Sequence, residues 1–179
     1  MVAPAGYRVA MSETPNRLPD RDDYYLALAF TAARRANCRG RKVGAILVKG
    51  DRVIATGYNG TPEGLPNCLD GGCLRCADRE QFVSGTAYDL CLCVHAESNA
   101  LLTAGRFGAS TDGTTVYSTD QPCFSCSKEL IQAGVAKVYY ARTWSPDVRV
   151  RDDYRRLQLR LDAEHIPTEY EIISLDERS

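Results

Sequence analysis

The sequence predicts a layered α/β domain whose second half is largely parallel. Three observations carry this. From His95 onward, helical and extended patterns alternate, the order that produces parallel strands joined by crossover helices. Ahead of them, two short apolar runs flank Lys49-Gly50-Asp51, a turn signal that makes the pair a β-hairpin. The 179 residues, 44% hydrophobic and 25% charged, are one domain's worth of ordinary globular composition, enough to bury a core without covalent staples.

Residues 1–19 hold Pro4, Gly6, Pro15 and Pro19 without a periodic apolar pattern and read as a flexible arm, leaving a single domain over 20–179. A helix is expected to start near Asp20 or Asp22, either of which can cap it. The run DDYYLALAFTAARRAN then keeps apolar residues at helical spacing to about Asn37. VGAILV (43–48) and RVIATGYN (52–59) are the hairpin strands. Residues 60–94 hold five glycines, two prolines and five cysteines with little periodicity. So long an irregular stretch inside a compact domain is uncommon and usually functional, and metal ligation would hold it in place. HAESNALLTAG reads as a helix ending near Gly105, and TTVYST (114–119) as a strand. Pro122 stands where a helix can begin, because its missing N–H costs nothing in the first turn. CFSCSKELIQAG fills that helix and Gly134 closes it. VAKVYYA (135–141) is an apolar strand, a charged helix is expected over 151–164, and a last strand in 168–175.

A net charge of −1 argues against a protein that lives on nucleic acid. No run approaches the ~18 apolar residues of a membrane span, and the N-terminal stretch lacks a signal peptide's apolar core. A cytoplasmic location is expected, with neither membrane nor polynucleotide as partner. Eight cysteines and only two histidines stand out. In a reducing compartment, clustered cysteines bind metal or do redox chemistry more often than they form disulfides. The spacings Cys73-x-x-Cys76, Cys91-x-Cys93 and Cys123-x-x-Cys126 favour zinc, which takes sulfur and imidazole ligands tetrahedrally.

The sharpest signal is His95-Ala96-Glu97 followed by Pro122-Cys123-Phe124-Ser125-Cys126, each at an expected helix start. H-x-E with P-C-x-x-C is the signature of zinc deaminases acting on nucleobases. One imidazole and two thiolates hold Zn²⁺ and leave a fourth position for water, whose pKa the metal lowers. Glu97, two residues past the ligand, is free to move protons between that water, the ring nitrogen and the departing ammonia. Either half alone is a weak signal: H-x-E arises by chance, and a CxxC serves redox pairs and structural fingers. Together they are strong.

The motifs VGAILV, TGYNGTPEG, the Asn67-Cys68 and Gly71-Gly72-Cys73 stretches, HAESNALLTA, TDQPCFSC and AGVAKVYY resemble the deoxycytidylate deaminase branch of the zinc-dependent deaminase superfamily. The resemblance runs from about Asn37 to Tyr140. It implies a three-layer αβα sandwich around a mixed five-stranded sheet, hydrolysis of dCMP to dUMP and ammonia, and a homo-oligomer, often a hexamer. Regulation by dCTP and dTTP, found in many members, is implied as well. It assigns His95, Cys123 and Cys126 to the catalytic zinc and Glu97 to the proton shuttle. Asn59 would contact the sugar, since a side-chain amide both donates and accepts. The Ala96 N–H would hold the pyrimidine carbonyl, and Arg106 falls where some members bind effector nucleotides. Two departures bear on substrate choice, and a deaminase for another small nucleotide or base is the alternative they leave open. Gly40 replaces the arginine of a Cys-x-Arg found in many relatives, within the basic run Arg34, Arg35, Arg39, Arg41 and Lys42. Trp144 stands where relatives usually place tyrosine, and an indole cannot accept a hydrogen bond.

Six cysteines remain beyond the catalytic pair. Local spacing favours a second, structural zinc on the four from Cys73 to Cys93. The resemblance favours Cys38, Cys68, Cys73 and Cys91, with Cys93 in place of Cys91 as the nearest variant. Either closed four-thiolate site would organise residues 60–94 and couple metal to folding.

Overall fold

Asp20 starts the first helix, α1 (Arg21–Ala33), its side chain accepting from the Asp22 N–H at 2.9 Å. The computed structural model, which describes residues 18–82 and 90–168, ends this helix short of the expected Asn37. There the chain tightens into turns that bond Arg34, Arg35 and Ala36 three residues back. Asn37 is needed elsewhere: its side chain donates to Asn67 Oδ1 (2.7 Å) and accepts from the Thr61 N–H (3.2 Å). The hairpin is β1 (Gly44–Lys49) and β2 (Arg52–Tyr58). Its two-residue loop puts Gly50 (φ 53°) and Asp51 (φ 59°) in the left-handed region, the turn whose twist matches the flanking strands.

After the loop come α2 (Leu74–Ala77), α3 (Ala96–Arg106), β3 (Thr115–Asp120), α4 (Phe124–Gln132), β4 (Lys137–Arg142), α5 (Arg151–Arg160) and β5 (Ala163–His165). The sheet order is β2-β1-β3-β4-β5: antiparallel across β2, β1 and β3, parallel across β3, β4 and β5. This is the expected mixed five-stranded sheet. β5 lies earlier than the strand expected over 168–175, most of which is outside the described residues, as is residues 1–17 of the expected arm. Ala-Glu-His has no apolar alternation to announce it; pairing with β4 makes it a strand.

Side chains alternate between the two faces of the sheet with the strand period of two. Ile46, Val48, Tyr117 and Ala141 pack with Tyr25, Leu26 and Phe30 of α1. Leu47, Val116, Val138 and Tyr140 pack with Ala100 and Ala104 of α3, Leu130 of α4 and Leu161. The result is three layers. Two glycines set how closely helices approach the hairpin. A Cβ on Gly44 would stand 2.1 Å from Ala29 O in α1, and one on Gly57 would stand 2.1 Å from Ala96 O in α3. No side chain fits either gap. Among the described residues, no helix is long and apolar enough to cross a membrane.

Candidate metal and catalytic centre

His95 and Cys123 are the N-cap residues of α3 and α4, and Cys126 sits in the first turn of α4. β3 runs between these helices in sequence and delivers the chain to Pro122 at the same end of the sheet. His95 Nδ1 is 3.4 Å from Cys123 Sγ and 3.4 Å from Cys126 Sγ. A tetrahedral zinc with Zn–N near 2.0 Å and Zn–S near 2.3 Å needs N···S edges of about 3.5 Å, so the three atoms fit one zinc ion. The hydrogen bonds from Cys126 and His95 hold the Cys123 thiol down at about 4, making it a thiolate at neutral pH. The Cys126 thiol is shifted the opposite way, by its bond to Cys123 and by burial. Contact with Cys123 raises the His95 pKa.

Glu97 lies two residues after His95, on α3, and is 4% exposed. Burial, and next the Cys123 charge, push its carboxyl up to about 7. That value suits a group that must both take and give a proton near neutrality. The Ser118 hydroxyl, from β3, lies within 3.3 Å of Glu97 Oε1 and fixes that oxygen. Behind the metal ligands, Ser98 Oγ is 3.7 Å from Cys126 Sγ and donates to Glu129. Neither serine carries a local sequence signal; only the packing of β3 and α4 against α3 reveals them.

Of the other expected site residues, Ala96 opens α3 and is fully buried, so its N–H is one of the helix's unpaired donors. Asn59 is buried at the end of β2; its Oδ1 accepts from Val43 N–H and its Nδ2 donates to Arg41 O, both at 2.8 Å. One N–H and one lone pair of that amide remain. Trp144 stands edge-on to Tyr154 at 5.1 Å, and Tyr154 donates to Pro122 O at 2.7 Å, next to Cys123 in the chain. Arg106 pairs with Glu63 at 2.7 Å on the surface, at the opposite end of α3 from His95. The basic run separates: Arg41 joins Arg142 on the buried carboxylate of Asp120 (2.7 and 2.6 Å), whereas Arg39 donates to Leu69 O.

The remaining six cysteines form a second cluster, composed wholly of cysteines among the described residues. Cys38, Cys68, Cys76 and Cys93 are one close quartet and Cys73, Cys76, Cys91 and Cys93 another. The second is the set that local spacing favours. The set implied by the family resemblance is divided, with Cys38 and Cys68 in one quartet and Cys73 and Cys91 in the other. The cause is α2, which turns Cys76 inward between them; a one-turn helix leaves no periodic trace in the sequence. The cluster joins the catalytic end through Val94. This residue pairs with Gly60 in both directions, Val94 N–H to Gly60 O at 2.8 Å and Gly60 N–H to Val94 O at 3.2 Å.

Residues 19–142 match the cytidine and deoxycytidylate deaminase zinc-binding region. The chain belongs to this family. A deoxycytidylate deaminase of Schizosaccharomyces pombe is 46% identical over 134 residues, covering 74% of this chain and 41% of the yeast protein. The chain thus spans about two-fifths of that relative's length. A deoxycytidylate deaminase of Mycobacterium phage D29 is 40% identical over 69% of this chain and 96% of its own. Among solved structures, the dCMP deaminase of cyanophage S-TIM5 in complex with dCMP and dUMP superposes with a TM-score of 0.63 at 32% identity, covering 84% of this chain and all of that one. The mixed sheet with its flanking helices is therefore the deaminase fold of the family, and the trio at the helix ends coincides with the family's zinc-binding character.

Proposed function

We propose that this chain hydrolyses dCMP to dUMP and ammonia. The observation that carries the reading is a buried Glu97 held beside His95, Cys123 and Cys126 at adjoining helix N-termini. Relatives that match over most of their own length and are named for deoxycytidylate support the substrate. Zinc on the trio would supply an acidified water. Glu97 would take a first proton from that water and deliver it to the ring nitrogen, then take the second from the hydroxyl added to the ring carbon and pass it to the amine, which leaves as ammonia. Ser118 keeps the carboxyl oriented while its charge changes. The Ala96 N–H anchors the pyrimidine carbonyl, the free N–H and lone pair of Asn59 serve a sugar hydroxyl, and Trp144 borders the base.

The same reading includes a structural zinc in the second cysteine cluster, Arg106 as an effector contact answering dCTP and dTTP, and a homo-oligomer, hexameric as in many relatives. It also includes a cytoplasmic location and a single domain from residue 20 onward. Ammonia release from dCMP, CMP, deoxycytidine, dCTP and guanine nucleotides tests the substrate. dCMP is expected to have the highest kcat/KM. An equal value for deoxycytidine, or faster turnover of a guanine compound, overturns the assignment.

A further inference from the structure

The two cysteine quartets are not alternatives. They share Cys76 and Cys93, so that all six sulfurs belong to one continuous group. The geometry points to a binuclear zinc cluster in which Cys76 and Cys93 bridge two metals, with Cys38 and Cys68 completing the first and Cys73 and Cys91 the second. This deepens the reading of a structural zinc and rests on it.

Four observations support two metals over one. First, the spacing is that of thiolates around zinc. With Zn–S near 2.3 Å, the edge of a zinc tetrathiolate is about 3.8 Å. Cys38 Sγ is 3.9 Å from Cys76 Sγ in the first quartet, and Cys91 Sγ is 3.8 Å from both Cys73 Sγ and Cys76 Sγ in the second. A disulfide would require about 2.05 Å. In each quartet all four sulfurs lie within 4.8 Å of one another. Second, Cys76 is at tetrahedral-edge distance from a terminal sulfur of each half, the position a bridging ligand must occupy. A thiolate sulfur keeps enough lone pairs to serve two metals.

Third, charge favours full use of the sulfurs. One zinc on either quartet carries two net negative charges and leaves two further thiols, at least one of them buried, without a metal. Two zincs on six thiolates carry the same net charge and engage every sulfur. Backbone donors are already aimed at the terminal ligands: Arg39 N–H at Cys68 Sγ and Gly40 N–H at Cys38 Sγ, each at 3.3 Å. Fourth, among the described residues this region is held by backbone and amide hydrogen bonds and has no apolar core of its own. The cluster contains no other buried apolar side chain, and Leu65, Leu69, Leu74, Leu90 and Leu92 around it face solvent. Three separate stretches of chain converge here with metal–sulfur bonds as the available substitute for a core.

Metal counting on the full chain, expressed with zinc and freed of loosely bound metal, tests this without any substitution. Three zinc ions per chain are expected, one for each of the trio and the two quartets. Two per chain overturns the bridged pair and leaves a single structural zinc; one per chain overturns the structural zinc altogether. Cadmium-113 spectra of the metal-exchanged protein supply the second arm. Two thiolate-bound resonances split by mutual coupling through Cys76 and Cys93 are expected, and uncoupled resonances overturn the bridges. Cys73→Ser is expected to lose one metal of the three while the Cys38–Cys68 half retains its own; an unchanged count overturns the role of Cys73.

Discussion

The two thiol-rich regions of this protein are built on opposite principles. At the catalytic trio, regular structure comes first and the ligands are placed by it. α3 packs on β1, β2 and β3 with α4 beside it, in one cluster that includes Leu47, Ala55, Ala100, Val116 and Leu130, and the two helix N-termini carry His95, Cys123 and Cys126 to one point. Three ligands leave a position open for chemistry. At the six-cysteine cluster the order is reversed. Irregular chain brings six cysteines together, and their sulfurs stand where a core would be. On the proposed reading, metal at the first region would supply reactivity to a scaffold built by packing, and metal at the second would supply the scaffold.

This contrast can be broken by experiment. The largest effect is expected from Glu97→Gln, which removes the proton carrier while keeping its shape. kcat should fall on the order of 10³-fold or more, with metal content and melting temperature near those of the parent. A parallel loss of zinc would mean that Glu97 is a ligand and that the trio is closed. Next, graded treatment with a chelator should abolish activity before it alters residues 67–78. Deaminase assay and hydrogen exchange on the same samples check this; simultaneous loss would make the two regions one cooperative unit. Gly57→Ala should cost about 2 kcal/mol, because its Cβ would stand 2.1 Å from Ala96 O and must push α3 off the hairpin. Since His95 and Glu97 move with that helix, kcat should drop as well, whereas cadmium signals from the cluster should keep their positions. Ser118→Ala removes one hydrogen bond to Glu97. About 1 kcal/mol is at stake, read as a roughly fivefold drop in kcat with little change in KM. The smallest effect is expected for Glu63→Ala. Its surface ion pair with Arg106 is screened by solvent, and thermal melts should barely shift.

How much could be read in advance follows the same division. That the trio and Glu97 would meet was legible because each sits at a helix start, where local sequence states both the element and the residue that opens it. The hairpin was legible from Gly50-Asp51, and the alternation of β1, β3 and β4 from their apolar runs. Ser118 and Ser98 were not, since they matter only through what packs opposite them. Neither was the buried Asp120 holding Arg41 and Arg142 across 79 and 22 residues of chain. In the cluster, local spacing found Cys73, Cys76, Cys91 and Cys93 but could not show that Cys38 and Cys68 share two of them. Which sulfurs meet depends on the path of residues 60–82, and no periodic pattern encodes that path. β5 escaped for a related reason: three polar-flanked residues become a strand only because β4 offers them an edge.

Val94 joins the two regions. Both of its backbone groups are tied to Gly60, and peptide units are planar and stiff, so few soft torsions separate Cys93 from His95. The side chain of Val94 matters less here than the count of residues. Exchanging it for another residue that tolerates extended backbone leaves that count intact. Adding or removing a single residue between Cys93 and His95 would turn one of them to the opposite side of the chain. This stretch should therefore accept many spellings and only one length.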